Sequence, residues 1–175
     1  MAKKLEDYVI SIPDFPEPGI IFRDITSIIG NADGLKLAVD ELQAAVKDLD
    51  FDVIAGLEAR GFIFGMPLAY NLHKPFIPIR KKGKLPRETV SETYDLEYGT
   101  ATIEVHKEDI LPGQKVLLVD DLLATGGTIK AMVKLCEKLG GEVVDILVMT
   151  ELPALGGRKA LEGYRIDSAL VFDGE

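Results

Sequence analysis

Lys115-Val116-Leu117-Leu118-Val119-Asp120-Asp121-Leu122-Leu123-Ala124-Thr125-Gly126-Gly127-Thr128 is the stretch from which the rest of the chain is read. Val116 to Val119 form an unbroken apolar run, as in a short strand buried on both faces. Two carboxylates follow, then a turn of small residues. Beyond the turn, Ile129, Met132, Val133, Cys136 and Leu139 recur at helical spacing. The order is therefore strand, acid pair, glycine turn, helix N-terminus.

That order has a chemical use. A helix N-terminus leaves backbone N–H groups unpaired and carries partial positive charge. Glycines let the backbone close around a phosphate, and threonine hydroxyls add donors. Asp120 and Asp121 would repel that phosphate, so they suit neighbouring hydroxyls or a hydrated cation. A ribose 5-phosphate, with a phosphate at one end and a diol beside it, offers both chemistries. Gly126-Gly127 alone would signal an ordinary turn. The combination of strand, acid pair and donor loop is what points to a ligand.

Working outward, 175 residues suit one domain, 1–175. No apolar run approaches the roughly 20 residues that span a bilayer. Lys3 and Lys4 are followed by no apolar core, so the N-terminus does not read as a secretory signal. Cys136 is the lone cysteine and lies on the apolar stripe of its helix, where a buried structural thiol is expected. These features suit a cytoplasmic protein with no membrane contact. The net charge of −9 argues against nucleic acid as a partner, which needs a basic face. A locally basic site for a small anion remains compatible with that charge.

Leu5 to Ile12 is expected to form a short helix ended by Pro13. Pro13, Pro16, Pro18 and Gly19 then keep the chain stiff and extended before Ile20-Ile21-Phe22-Arg23-Asp24. Such a segment can wall a slot for a flat ring, and Phe22 can stack there, although an aromatic in the core is the plainer reading. Asp33 is expected to cap a helix through about Leu49, with Leu35, Ala38, Val39, Leu42, Ala45, Val46 and Leu49 on its apolar face. Asp52 to Leu57 reads as a strand, followed by Glu58-Ala59-Arg60-Gly61 and another helix. Arg60 is thereby placed for a second anion, since ligands in open α/β sheets bind beyond the C-terminal ends of strands.

Pro75 to Ile79 reads as the next strand. Arg80 to Arg87 then carries five cations in eight residues, either a solvated loop or a neutraliser of pyrophosphate. Thr89–Leu96 and Thr100–His106 read as an antiparallel flap, with Thr102, Glu104 and His106 on a half-exposed face. Its polarity suits a cover over a site, or simply a surface hairpin. Gly140-Gly141 ends the helix after the organising turn. Val143 to Met149 is a further strand, Leu155 to Arg158 caps a short last helix, and Ser168 to Phe172 adds an edge strand. His73 and His106 have no partner at ligand spacing, so no protein-held metal is assigned.

Val116 to Thr128 resembles the phosphoribosyl-pyrophosphate signature of the type I phosphoribosyltransferases, and Val119 to Thr128 is similar to its adenine-using members. The stretch from Phe15 through Ile25-Thr26 resembles their N-terminal hood, and Ser91 to Gly99 their flexible loop. The resemblance implies a doubly wound α/β fold with a mainly parallel sheet, a small N-terminal hood (1–34), and a basic loop with antiparallel flexible flap (80–107). It implies transfer of a 5-phosphoribosyl group from phosphoribosyl pyrophosphate to adenine, giving AMP and pyrophosphate, a purine-salvage reaction. Ala124, Thr125, Gly126, Gly127 and Thr128 would hold the 5′-phosphate, and Asp120 and Asp121 the ribose hydroxyls. Arg60, Arg80 and Lys84 match pyrophosphate contacts, with Arg60 and Lys84 counted as catalytic. Ala59 stands where some members carry serine, so the loop's binding falls to its backbone and Arg60. Glu97 matches a carboxylate that attends a proton on the base, and Tyr98 a tyrosine that covers the substrate. The counterpart of Ile21 offers backbone groups to the adenine edge, that of Phe22 stacks, Arg23 lies beside them, and Leu152 packs on the base. Mg²⁺ is expected on the substrate's phosphates, because it keeps several waters. A homodimer is implied as well.

Two other classes fit parts of the pattern. One is a non-catalytic sensor of phosphoribosyl pyrophosphate, which would need an added DNA-binding module for which the chain has little room. The other is a transferase acting on xanthine, guanine or a pyrimidine, against which the hood residues argue.

Overall fold

The structure, a computed structural model, describes residues 1–174. In chain order the elements are β1 (Ile10–Pro13), β2 (Ile21–Asp24), α1 (Thr26–Ile29), α2 (Ala32–Ala45), β3 (Val53–Leu57), α3 (Arg60–Leu72), β4 (Phe76–Lys81), β5 (Thr89–Asp95), β6 (Thr100–His106), β7 (Lys115–Leu123), α4 (Gly127–Lys138), β8 (Glu142–Glu151), α5 (Gly157–Ala160) and β9 (Ile166–Val171). Seven of the strands form one sheet in the order β5-β6-β4-β3-β7-β8-β9. From β4 to β9 the neighbours are parallel, while β6 joins β4 and β5 joins β6 in antiparallel fashion. The doubly wound, mainly parallel sheet expected from the sequence is present.

The apolar run at the head of β7 explains the layering. Val116 and Leu118 face one layer, with Ile129, Met132, Val133 and Cys136 of α4. Leu117 and Val119 face the other, with Leu42 of α2 and Phe64 and Leu68 of α3. A strand covered on both sides has no reason to alternate polar with apolar. Cys136 is buried as expected, and burial pushes its thiol up to about 12. From β3 the chain crosses through α3 to β4 on one flank. From β7 it crosses through α4 to β8 on the other. The two adjacent strands therefore send their connections apart and leave a crevice beyond their C-terminal ends.

Several boundaries differ from the sequence reading. Leu5–Tyr8 is a short 3-10 turn, and Ile10–Pro13 is a strand rather than helix. Its β-branched residues pair with β2, Ile10 opposite Asp24 and Ile12 opposite Phe22. Asn31, not Asp33, caps α2, its side chain accepting from the amides of Asp33 and Gly34. That helix stops at Ala45, whose side chain is exposed. Glu104 and His106 are buried rather than half-exposed. The Nε2 of His106 accepts from the Arg87 amide at 3.3 Å, and its Nδ1 lies 3.1 Å from Asp109.

One buried group sets a pH dependence. Asp145 on β8 is fully buried, and as a carboxylate neither oxygen meets a hydrogen-bond donor. Burial first, then the neighbouring Asp167, pushes its pKa up to about 8, with partial relief from Arg165. An unfolded aspartate titrates near about 3.9, so above that pH the folded state keeps a proton the unfolded chain has lost. Stability from this group is full below about pH 4 and declines until the folded pKa of about 8 is passed. Asp145→Asn preserves the neutral shape. It is expected to flatten the fall of Tm between pH 4 and 8 and to raise Tm at pH 8. Thermal melts across that range check it, and superimposable curves for the two proteins would refute it.

Candidate functional site

Beyond its fourth apolar residue, β7 does not stop. β8 continues to pair with it, Asp120 opposite Val148 and Leu122 opposite Thr150, while its partnership with β3 ends at Gly56. Asp120 and Asp121 are thus strand residues, not turn residues, held where β7 outruns β3. A Cβ on Gly61 would sit 3.1 Å from the Val119 carbonyl, so glycine there lets the start of α3 lie against β7. That approach brings Arg60 to the acids. Its Nε donates to Asp121 Oδ2 at 2.8 Å, with Asp121 only 7% exposed and Arg60 half-exposed. Burial, and then the adjacent Asp121, holds the Asp120 carboxyl well above the usual aspartate range. Asp120 Oδ1 also accepts from the Asp121 amide at 2.8 Å.

The turn after β7 enters α4 through Gly126, at φ 89°. The first bond into the helix runs from the Lys130 amide to the Gly126 carbonyl, which leaves the preceding amides free for a ligand. α5 braces this turn from behind. Arg158 grips Glu151 at the end of β8 through Nε at 2.6 Å and Nη2 at 2.9 Å. The result is a cavity of about 340 Å³ walled by Ala59, Arg60, Asp120, Asp121 and the whole turn from Ala124 to Thr128.

A second, more apolar cavity of about 160 Å³ lies beside the first. Ile21, Phe22 and Arg23 of β2 line it, with Leu152 beyond β8. Phe22 is held edge-on by Phe15, ring centroids 5.3 Å apart. The two cavities share Arg60, Asp121 and Leu122, so the ion pair stands at their junction. A flat apolar slot opening onto an acid pair and an amide-rich turn can hold a heterocycle at one end and a phosphorylated polyol at the other.

The residues singled out from the sequence thus fall into two groups. The acid pair, the turn, Ala59, Arg60, Ile21, Phe22, Arg23 and Leu152 are brought together. Arg80, Lys84, Glu97 and Tyr98 line neither cavity. Lys84 and Glu97 are exposed, and Tyr98 is 89% exposed at the tip of the β5–β6 hairpin. Arg80 is engaged elsewhere, its Nε and Nη2 donating to Glu58 Oε2 at 2.9 and 2.8 Å. Burial alone would raise the Glu58 carboxyl, but the Lys81 amide and Arg80 hold it below the usual range. Glu58, Leu122, Ile25 and Thr150 are site-lining residues that the sequence reading did not assign. Glu58 immediately precedes Ala59-Arg60, and that adjacency was the available signal. Among the described residues no group of three or more His, Cys, Asp or Glu side chains is arranged to hold a metal.

Comparison with known proteins adds to this geometry. Residues 27–168 match the profile of a family described as the phosphoribosyl transferase domain. The adenine phosphoribosyltransferase of Agathobacter rectalis is 63% identical over 173 residues, covering 99% of each chain. The crystal structure of adenine phosphoribosyltransferase from Thermoanaerobacter pseudethanolicus superposes with a TM-score of 0.91 at 52% identity, covering 97% of this chain and 100% of that one. The Saccharomyces cerevisiae enzyme, solved with an imino-altritol bisphosphate and adenine, gives a TM-score of 0.87 at 37% identity, covering 95% of this chain and 96% of that one.

Proposed function

The chain belongs to the phosphoribosyltransferase family, in its adenine phosphoribosyltransferase branch, and from that membership we propose how its own residues carry out the reaction. The reaction is transfer of the 5-phosphoribosyl group to adenine, giving AMP and pyrophosphate. Phosphoribosyl pyrophosphate is the donor. The bond from adenine N9 to C1′ forms, the C1′–oxygen bond to pyrophosphate breaks, and the proton on the base is lost.

One observation carries the reading: the amide-rich turn and the apolar slot meet at the Arg60–Asp121 pair. The turn Ala124–Thr128 takes the 5′-phosphate. Asp120 and Asp121 take the ribose hydroxyls, and Asp121 opposes the positive charge that develops at C1′ as pyrophosphate departs, as at a glycosidic centre. Arg60 lies on the pyrophosphate side with the Ala59 backbone, and Arg80 and Lys84 add cations as the leaving group gains charge. Glu97 attends the proton of the base, by taking it or by a hydrogen bond that holds the ring. Tyr98 covers the bound substrate from the hairpin tip.

Mg²⁺ fits this donor set as a companion of the substrate. It keeps several waters and binds phosphates, and Asp120, Asp121 and Glu58 place carboxylates on the wall of the phosphate cavity. When bound it neutralises phosphate charge. A homodimer is part of the proposal, supported by Met66 and Tyr70, which lie exposed on α3. Among the described residues no helix is long and apolar enough to cross a membrane. A cytoplasmic setting is proposed from the lone buried thiol.

Release of pyrophosphate, measured with adenine, guanine, xanthine and a pyrimidine in turn, tests the reading, and adenine is expected to dominate. A protein that prefers another base, or that binds phosphoribosyl pyrophosphate without turnover, would overturn it. The slot gives a second test. Phe22→Ala removes a stacking face worth about 1–3 kcal/mol, so KM for adenine is expected to rise roughly tenfold or more. KM for the phosphoribosyl donor should hold. A parallel change in both constants would show that Phe22 serves only packing.

A further inference from the structure

Glu58 is a carboxylate on the wall of the phosphate cavity, where an unpaired anion would repel a phosphorylated substrate. Three donors hold it. Arg80 Nε and Nη2 both donate to Oε2, at 2.9 and 2.8 Å, and the Lys81 amide donates to Oε1 at 2.8 Å. The sheet explains the pairing. β3 and β4 run parallel with Leu57 opposite Ile79, and the Glu58 amide donates to the Ile79 carbonyl at 3.0 Å. The next residue of each strand, Glu58 and Arg80, therefore stand side by side where β3 ends.

Beyond Arg80 the basic loop is held by its backbone. The Lys82 amide donates to the Thr102 carbonyl at 3.1 Å, and the Gly83 amide to Glu104 Oε2 at 3.3 Å. The Lys81, Lys82 and Lys84 side chains are exposed, and among the described residues none of them makes an ion pair. Of the cations from Arg80 to Lys84, Arg80 alone is engaged by a carboxylate, and that carboxylate lines the cavity. A guanidinium binds carboxylates and phosphates through the same N–H donors. Exchanging one for the other replaces one set of charge-assisted hydrogen bonds by another, so it runs readily in both directions.

We propose that Glu58 is a positioning residue that shares Arg80 with pyrophosphate. It holds the guanidinium before the donor binds, yields it to the donor's pyrophosphate group, and takes it back as the product leaves. This rests on the placement of phosphoribosyl pyrophosphate argued under the proposed function. Two consequences follow. Before binding, Arg80 neutralises the wall carboxylate, so the anionic donor is not turned away. After the transfer, the carboxylate competes with pyrophosphate for the cation, so the product is not held too tightly to leave.

Glu58→Gln keeps an oxygen for the Lys81 amide and removes the charge that competes for Arg80. The inhibition constant of pyrophosphate and KM for phosphoribosyl pyrophosphate are expected to fall about tenfold, with KM for adenine unchanged. Loss of a merely structural support would weaken binding, so tightening separates the two roles. Arg80→Gln is expected to weaken pyrophosphate about tenfold in the wild type and about a hundredfold in the Glu58→Gln background, where the cation is no longer shared. Unchanged or weaker pyrophosphate binding in Glu58→Gln would overturn the inference. So would a cost of Arg80→Gln that is equal or smaller in that background, since Glu58 would then only repel the ligand or aim the guanidinium. Crystals of the wild-type protein soaked with pyrophosphate and Mg²⁺ give a readout that needs no variant. Arg80 is expected on the pyrophosphate, and bound pyrophosphate with Arg80 still on Glu58 would overturn this inference alone. Absence of pyrophosphate release from the wild-type protein with adenine would overturn the proposed function along with it.

Discussion

Asp121→Asn is expected to lower kcat/KM by about 10²–10³-fold while the protein stays folded. Asparagine keeps the shape of the side chain and removes its charge. In the wild type that charge sits at the junction of the two cavities, buried and aimed by the Arg60 Nε at 2.8 Å. A fixed anion in a shielded site is worth most when the bound sugar becomes cation-like, because no solvent has to reorganise to meet the new charge. The loss should therefore fall mainly on kcat, with a smaller change in KM for the donor. Stability should move little. Arg60 is half-exposed, so its guanidinium rehydrates when the partner is lost, and such pairs contribute about 0–1 kcal/mol. Steady-state kinetics and a thermal melt check both halves. Wild-type kcat would remove Asp121 from the proposed chemistry, and a collapsed melt would make it a structural group.

The site was partly legible because its pieces are local. The apolar head of β7, the acid pair, the glycine turn and the stripe of α4 lie in one continuous stretch, and each follows from its own residues. The length of β7 was not legible. Asp120-Asp121 read as following the strand, because the apolar run ends at Val119. Only the tertiary fact that β8 runs on while β3 stops at that level makes an acidic strand residue face a crevice instead of a core. Ile10–Pro13 failed for a related reason. Its helix-length spacing was outweighed by pairing with Ile21–Asp24, a partner across the proline loop. Glu104 and His106 alternate as a solvent-facing strand should. They are nonetheless buried, because the Gly83 amide donates to Glu104 and Arg87 and Asp109 close over His106. The pairing of Arg80 with Glu58 joins residues from the ends of two neighbouring parallel strands, and no spacing in the sequence marks it.

Gly126→Val should have the larger effect, loss of measurable turnover together with a less stable fold. Two constraints meet at this residue. Its φ of 89° is a conformation that a β-branched side chain does not adopt without strain, which costs about 1–3 kcal/mol. A Cβ there would also lie 3.0 Å from the Gly157 carbonyl and 3.2 Å from Ala160 Cβ, so bulk at this point pushes the turn away from α5. Yielding in either way rotates the amides that precede α4, and those amides are the proposed grip on the 5′-phosphate. A displacement of about 1 Å at a positioning group can cost 10²-fold in rate, and here the whole donor set moves at once. Gly127 supplies the contrast. A Cβ on it meets nothing within 4 Å, and its φ lies outside the left-handed region. Gly127→Ala should therefore leave the melt unchanged or raise it slightly, since alanine favours a helix over glycine by about 1 kcal/mol. Titration with phosphoribosyl pyrophosphate beside thermal melts of both variants checks the pair. Wild-type affinity in Gly126→Val would mean that the phosphate is held elsewhere. A fold destabilised equally by the two substitutions would mean that the turn is sensitive to any side chain, whatever its φ.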